Sequence, residues 1–402
     1  MNTDFNSEEI AFRDEVRSFL DANLSEHLRV GAARSPGVFV EPDIGLEWHR
    51  ILNEKGWVAY HWPKKNGGTG WTPTQKYIFE KECALAGAPA LSILGLRLVG
   101  PVICEFGTPE QQERFLPRIR STEDYWCQGF SETGSGSDLS SLKTSARLEG
   151  DQYIVNGSKM WTTHAHYANW IFCLVRTDPN VKKQAGITFL LIPMDQPGVE
   201  VVPIMSMSGD HEINQVFMDN AVTSVENRIG EEGQGWAIAK YLLLYERGGS
   251  CVAPVLLVEL NELKALARTQ LSSANSAIPG NAGHMTRLAL LRLRAEALET
   301  LELRILAELA SGREPGPQAS LVKLLGSNLE QEIDALRLDL LGYDALQLPL
   351  ERTLYGNEAP EPVGSHFAQT AFATYLNGRA STIFGGSNEV MKNIIAKTVM
   401  GL

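Results

Sequence analysis

The spacing of apolar residues changes twice along this chain of 402 residues, and that change bounds the fold more tightly than any single motif. In the first stretch Phe5, Ile10, Phe12, Val16, Phe19, Leu20 and Leu24 recur at intervals close to three and four, the period of a helix with one buried face. Helical segments continue from 44 to 120, punctuated by Pro63, Gly67-Gly68, Gly70 and Gly107. Thr108 followed by Pro109 reads as a helix start, a hydroxyl cap with proline in the first position. Near residue 124 the character switches. Tyr153–Val155, Trp170–Val175, Ile187–Ile192 and Val199–Val202 are short runs of β-branched and aromatic residues, bounded by the turn sequences EGD, NG and QPG. From Trp236 the helical period returns, with Leu288, Leu291, Ala295, Leu298, Leu301, Ile305, Leu306 and Leu309 along one long helix. Ser320–Leu341 and Asn388–Met400 read as further helices, and the polar stretch Thr269–Gly283 as a loop. The order is helical, β, helical, with boundaries expected at 1–123, 124–231 and 232–402.

Composition removes several functions. With 36 Lys and Arg against 48 Asp and Glu the net charge is −12, which argues against a nucleic-acid binder, since phosphate recognition needs a basic surplus on some face. The five cysteines, at 83, 104, 127, 173 and 251, form no CxxC pair. Neither zinc nor a disulfide framework is expected, and a cytoplasmic location fits. The N-terminus is charged throughout, without the apolar core of a signal peptide. Tyr241–Val258 has membrane-spanning length, but Glu246-Arg247-Gly248-Gly249-Ser250 and Pro254 interrupt it. It reads as one buried helix in a helical core.

Three stretches carry candidate chemistry. SETGSGSD (131–138) opens the β region and exposes backbone N–H groups and hydroxyls on a loop that a ligand can approach closely. NGSKMWTT (156–163) reads as an Asn-Gly turn feeding a strand, with Trp161 able to wall a flat aromatic ring. FGGSNEVMKN (384–393) places a Gly-Gly turn before a helix whose first residues can hold an anion or a polar ring edge. Taken singly, each has a plainer explanation: a hairpin, a core tryptophan, an N-cap.

Taken together, they resemble one family. SETGSGSD is similar to the TEPGAGSD motif of acyl-CoA dehydrogenases, NGSKMWTT to their NGxKxWIT, and FGGSNEVMKNIIAK to their terminal YEGTSEIQRNIIAK, in the same order and at matching separations. FGTPEQ (106–111), Leu116-Pro117 and IGEEGQGW (229–236) agree, so the resemblance runs from about residue 5 to the end. Within the family, EKGWVAYHWPKKNGGTGWTPTQKYIFEKE (54–82) looks like the large subunit of bacterial pimeloyl-CoA dehydrogenase and its relatives.

The resemblance implies an α+β multidomain fold: an N-terminal α-helical domain, a central β-barrel-like domain and a C-terminal four-helix bundle. It implies FAD as cofactor, an acyl-CoA as substrate, an electron-transfer flavoprotein as acceptor, and no metal. Carried over by position, Gln128, Phe130, Ser131 and Ser137 would contact the flavin edge, with Ser137 also near the acyl-CoA. Trp161 and Thr163 would meet the isoalloxazine, and Ser387 and Glu389 the adenosine-diphosphate portion. Phe130, bulkier than the family's usual residue, would act mainly through its backbone.

The implied reaction is α,β-dehydrogenation of a thioester, which needs a carboxylate base of raised pKa in an apolar setting. Here the chain departs from the commonest pattern. Where the family usually has the Glu of YEG, this sequence has Phe384-Gly385-Gly386. A minority of the family carries the base in a segment reading LERL, which Leu244-Tyr245-Glu246-Arg247 matches. Glu246 and Arg247 are the only charges between Lys240 and Glu259, so Glu246 is the expected base, a helix-surface role being the alternative. Arg247 matches a family arginine near the substrate, with a structural ion pair as the other reading. The glycines at 385, 248 and 249 remove bulk, which points to a large acyl group such as a steroid side chain or a dicarboxylate, unless they only permit close helix packing.

Assembly is the last expectation. Family homotetramers share each FAD across an interface, through an RxxFG segment and a QxxGG segment of the neighbour. Residues 268–287 contain no RxxFG, and LDLLGYD (338–344) has no glutamine and one glycine. A hetero-oligomer with a homologous subunit is expected, a homodimer or homotetramer otherwise. The rivals are an acyl-CoA oxidase or flavin monooxygenase on the same fold, and a non-catalytic structural subunit.

Overall fold

The computed structural model describes residues 5–248, 251–272, 281–311, 316–347 and 368–401, with the side chains of 244–248, 269–272 and 281–282 outside the described set. Six helices come first: α1 (Ser7–Asn23), α2 (Glu26–Ala33), α3 (Pro42–Glu54), α4 (Pro73–Ala86), α5 (Gly100–Phe106) and α6 (Pro109–Ser121). Their starts follow local chemistry. Asn6 with Glu9, Thr72 with Gln75 and Thr108 with Gln111 each form a reciprocal capping box, and Pro73 and Pro109 stand where the helix has no N–H partner to lose. A π-helical turn, Leu94–Val99, leads into α5.

Eight strands follow: β1 (Trp126–Gly129), β2 (Ser145–Glu149), β3 (Gln152–Thr163), β4 (Trp170–Arg176), β5 (Ile187–Pro193), β6 (Val199–Ile204), β7 (Ile213–Ser224) and β8 (Arg228–Ile229). They form one mixed sheet in the order β6-β7-β3-β2-β4-β5-β8, with β1 paired parallel to β4. β4 and β5 are buried on both faces. Phe172 and Leu174 face a core shared with the N-terminal helices, while Ile171, Cys173 and Val175 face a second core on the other side of the sheet, as the two-residue period of a strand requires.

The chain then returns to helices: α7 (Gly235–Gly248), α8 (Ala253–Ser272), α9 (Asn281–Ala310), α10 (Gln318–Leu341), α11 (Ala368–Asn377) and α12 (Asn388–Ile395). Leu256, Leu260, Leu263, Leu291, Leu298, Leu329, Ile333 and Leu336 make the core between α8, α9 and α10. The three-part architecture is the expected one. α7 belongs to another core: its Ile238, Ala239 and Leu242 pack in the cluster that holds Phe130, Phe172 and Phe189 of the sheet.

Four local readings of the sequence differ from the structure. The stretch 241–258 is two helices rather than one, since α7 ends at Gly248 and α8 begins at Ala253. Glycine is a poor helix former, and Pro254 is tolerated only because it falls in a first turn. Asn156-Gly157 is no hairpin turn; it lies inside β3 at a shift in the pairing with β7. Gly157 has φ 147°, and a Cβ there would stand 2.7 Å from Thr144 Cα, so the residue marks a close backbone approach. Helix occupies part of the expected loop 269–283, through Ser272 and again from Asn281. The C-terminal helix widens into a π-helical turn over Ala396–Met400. Among the described residues no helix is long and apolar enough to cross a membrane.

Candidate active site

The Gly/Ser loop and the tryptophan strand meet. Met160 N–H donates to Ser131 O at 2.8 Å, which lays the strand segment 159–163 beside the loop that follows β1. The lock under this contact is Lys159. Its side chain is wholly buried, and its Nζ donates to Phe130 O at 3.2 Å and to Glu132 Oε1 at 2.8 Å. Glu132 in turn accepts Lys143 N–H at 2.7 Å and Thr144 N–H at 2.9 Å. Burial alone would raise the Glu132 carboxyl, but the Lys159 charge and these hydrogen bonds bring it below its usual range. One buried ion pair therefore fixes both ends of the 132–144 loop against β3.

What this lock presents is open. Gly134 and Gly136 have no neighbour within 4 Å of a Cβ position, and Ser137 is exposed. Phe130 is buried edge-on against Phe172 and Phe189, so its ring faces the core. Gln128 and Ser131 are half-buried. Trp161 sits in the second shift of the β3–β7 pairing with φ 62°, and 59% of it is exposed. A tryptophan held in a strained backbone conformation with its ring uncovered is an unusual use of the largest apolar side chain. Beside it Thr162 is buried with its hydroxyl unpartnered among the described residues, and Thr163 is half-buried.

Past Thr163 the strand ends in a polar seam. His164 N–H donates to Glu212 O at 2.9 Å, and His164 Nδ1 lies 2.7 Å from Tyr125 Oη. Glu212 Oε1 accepts Val38 N–H at 2.6 Å and Phe39 N–H at 3.2 Å, while Oε2 accepts Asn377 Nδ2 at 3.1 Å. This one carboxylate joins the N-terminal part, the sheet and α11. Burial lifts its pKa against the pull of its Asn377 and backbone donors. His166 stacks on His211 at 3.9 Å between ring centres, and Asn214 bridges them. Burial holds His164 and His166 at about 4, so both are neutral near pH 7. No group of three or more His, Cys, Asp or Glu among the described residues is arranged to hold a metal ion.

The third stretch stands on the helical side. Gly385 and Gly386 have φ 64° and 95°, a left-handed pair that glycine takes without strain. Ser387 caps α12, its hydroxyl accepting Val390 N–H at 3.3 Å, and Glu389 is exposed in the first turn. Asn377 Nδ2, on α11 ahead of this segment, donates to Glu212 and so ties the C-terminal helices to the end of the tryptophan strand. Glu246 and Arg247 lie in the last turn of α7, their side chains outside the described residues. The register of α7 is informative all the same. Positions 238, 242 and 246 are four apart and fall on one stripe, and Ile238 and Leu242 on that stripe pack in the core that contains Phe130.

Sequence reading assigned no role to Lys159, Glu132, Glu212 or Asn377. Lys159 left a trace: it is the only charge between Asp151 and Arg176, set among buried strand positions. Glu212 left none, because its partners are 173, 174 and 165 residues away along the chain.

A helical–β–helical chain with a Gly/Ser loop locked beside an uncovered tryptophan belongs to the acyl-CoA dehydrogenase family, oxidoreductases acting on CH–CH bonds: residues 6–123, 127–221 and 233–400 match that family's N-terminal, middle and C-terminal domains. Among its relatives is an acyl-CoA dehydrogenase of Mycobacterium tuberculosis named IpdE1, 37% identical over 97% of each chain. Two solved structures share the fold over essentially their whole length. They are a steroid acyl-CoA dehydrogenase named Tcur3481-Tcur3483 (TM-score 0.84, 26% identity, 100% and 99% of the two chains) and the ChsE4-ChsE5 complex of Mycobacterium tuberculosis (TM-score 0.81, 29% identity, 100% and 99%).

Proposed function

We propose that the chain is the FAD-holding, base-bearing subunit of a heteromeric acyl-CoA dehydrogenase that converts a bulky, ring-bearing acyl-CoA to its 2-enoyl-CoA and passes the electrons to an electron-transfer flavoprotein. The observation that carries this reading is Trp161, uncovered and strained beside a loop of open backbone and hydroxyl groups. The residues present suit a flavin. An exposed indole offers a stacking face, the Ser131 and Thr163 hydroxyls offer polar contacts to a ring edge, and the start of α12 offers backbone N–H groups to an anionic tail. Gln128, Phe130, Ser131, Trp161 and Thr163 would hold the ring end, and Ser387 and Glu389 the nucleotide end. With its hydroxyl engaged as a cap, Ser387 contributes through the helix terminus it stabilises. When bound, FAD supplies the two-electron acceptor for the hydride that leaves the substrate's β carbon.

The chain itself must remove the α proton. The backbone at Gly385 argues against a base there, since a side chain at φ 64° is strained. Glu246, on the apolar stripe of α7, is the base in this reading; Ser137 and Arg247 serve the acyl-CoA. A carboxylate in such surroundings gains basicity because burial disfavours its charged form.

Support for a bulky substrate and a second chain comes from the structural relatives, one of them a steroid acyl-CoA dehydrogenase and both named as pairs of chains. Within this chain, LDLLGYD ends α10 at Leu341, and Tyr343 beyond it is almost wholly exposed. Leu290 and Leu293 are exposed on α9, beside a groove that Arg287, Arg294, Gln331 and Arg379 line. A homologous chain would cover this face and lend the arginine and glutamine that RxxFG and QxxGG segments would supply.

Anaerobic addition of acyl-CoA thioesters tests the reading. Ring-bearing thioesters should bleach the flavin faster than butyryl-CoA, and Glu246→Gln should slow bleaching about a thousandfold with FAD still bound. Stoichiometric peroxide release would assign an oxidase instead. A colourless protein, with or without a co-expressed homologous chain, would leave a structural subunit. Full FAD occupancy of the chain alone, kept through dilution, would remove the heteromer.

A further inference from the structure

The link between α7 and α8 is gripped at its far end by two carboxylates from elsewhere in the chain. Cys251 N–H donates to Glu80 Oε2 at 2.8 Å. Val252 N–H donates to Glu302 Oε1 at 2.7 Å, and Ala253 N–H reaches both Glu302 oxygens at 3.2 and 3.4 Å. Glu80 stands on α4 and Glu302 on α9. Three consecutive amides at the start of a helix of 20 residues are thus satisfied from two directions.

A helix start does not need this. A serine, threonine or aspartate at the cap position would stabilise a helix start locally, through the N–H of the second or third helical residue, by about 1 kcal/mol. Here the cap position holds Val252, and the acceptor comes from fifty residues away. The cost of that choice is visible. Only 5% of Glu302 is exposed, and burial pushes its carboxyl up to about 7 against the pull of the two amides, with the charges of Glu80 and Glu299 adding to the rise. Glu80 is the reverse. Burial would raise it, but the close approach of His61 and the charge of Arg97 outweigh burial and bring it down to about 2. Both grips are themselves braced. Tyr60 Oη donates to Glu80 at 2.9 Å, and His61 Nε2 lies 3.3 Å from it. Glu299, one turn before Glu302 on α9, accepts Tyr77 Oη at 2.6 Å and Lys81 Nζ at 2.8 Å, both from α4. Helices α4 and α9 are tied to each other and jointly to the start of α8.

We infer that Glu80 and Glu302 are positioning residues for α-proton abstraction: they fix where α8 begins, seven residues after Glu246 along the chain, and so limit where Glu246 can stand relative to the substrate. The inference rests on Glu246 being the base. Its physical content is that a general base displaced by about 1 Å loses about a hundredfold in rate, while substrate affinity, set elsewhere, stays put. α7 ends at Gly248, a poor helix former, which leaves its direction weakly specified by local propensity. Anchoring the downstream end compensates.

The test separates position from stability. Glu302→Gln keeps one carbonyl acceptor but turns an NH2 group toward an amide that had an oxygen; Glu302→Asp keeps the charge on a shorter arm; Glu80→Gln disturbs one contact only. For each, substrate Kd, FAD content and Tm are measured beside two rates. One is flavin reduction; the other is exchange of the substrate's α proton with D2O, which reports the base step directly. Hydrogen exchange of the amides at 251–253 reads the grip itself. Expected for Glu302→Gln are faster amide exchange and a loss of about 10- to 100-fold in both rates, with Kd within about threefold, FAD retained and partial recovery in Glu302→Asp. Unchanged α-proton exchange in a folded Glu302→Gln enzyme overturns the inference. So does a rate loss that merely tracks lost FAD or a lowered Tm. If Glu302→Gln does not fold, Glu80→Gln decides by the same criteria. Glu246→Gln in parallel keeps the two failures apart. If it exchanges the α proton normally, the base assignment falls; if it is inert and both positioning variants are normal, only the positioning falls.

Discussion

The sheet and the helical bundle bury charge in opposite ways. Behind the tryptophan strand, Lys159 and Glu132 form a closed pair, with the remaining carboxylate capacity filled by two backbone amides. The histidines at the end of that strand are held neutral. In the bundle, carboxylates outnumber their partners. Arg337 is shared by Asp334 at 3.0 Å and Glu259 at 3.2 Å, and burial together with neighbouring like charge pushes Glu330 up to about 7 and Asp334 up to about 6. Glu302 joins them at about 7 through burial. The difference teaches where each half of the molecule tolerates change. A balanced pair is rigid and fails at once when one member goes. A surplus of carboxylates is held partly protonated and responds to pH near neutrality.

The largest effect should come from the balanced side. Lys159→Met leaves Glu132 buried without its cation, which costs about 3–5 kcal/mol for a broken internal pair. Chemical denaturation should show that loss together with loss of bound FAD, because the loop from 132 to 144 is no longer pinned. Adding Glu132→Gln should return more than half of it. If the single variant is as stable as the parent, the pair does not lock the loop.

Next comes pH, where the two regions should move apart. His164 and His166 have folded pKa values near 4, below the ordinary 6.5. The folded state therefore binds fewer protons between pH 4 and 6.5, and their contribution rises with pH through that window. Glu302 and Glu330 have folded values near 7, above the ordinary 4.5. The folded state binds more protons between pH 4.5 and 7, so their contribution falls as pH rises there, by about 3 kcal/mol at most for Glu302. Native-state hydrogen exchange, corrected for intrinsic rates, should show protection of β3 growing from pH 4.5 to 6.5 while that of α9 and α10 declines toward pH 7. Parallel trends in both would erase the contrast.

The smallest effect concerns the C-terminal turn. Ser387→Ala removes the cap of α12 and should cost about 1 kcal/mol, with Ser387→Thr close to neutral. If α12 also presents its N–H groups to the cofactor, FAD affinity should fall in step with the helix. A variant that loses stability but keeps its affinity would reduce that segment to a purely structural end.

Much of the fold was legible because it is local. Capping residues such as Thr108 and the three-to-four spacing of Phe12, Val16 and Leu20 set helices without reference to the rest of the chain. The candidate site was legible where its residues cluster in sequence, as in SETGSGSD and the strand bearing Trp161. β7 was not, since INQVFMDNAVTS mixes amide, acid and apolar residues, and its strand character comes from pairing on both sides with β3 and β6.

By itself, then, the sequence determined the order of helical and β parts, the three motifs and the absence of a carboxylate at 385, all of which are properties of neighbouring residues. Only the tertiary structure decided that Asn156-Gly157 is a bulge, that 241–258 breaks into two helices, and that Lys159, Glu212, Glu80 and Glu302 each hold a remote segment in place. A buried charge finds its partner by proximity in the folded state, and nothing in the spacing of residues along the chain encodes which distant amide or carboxylate that will be.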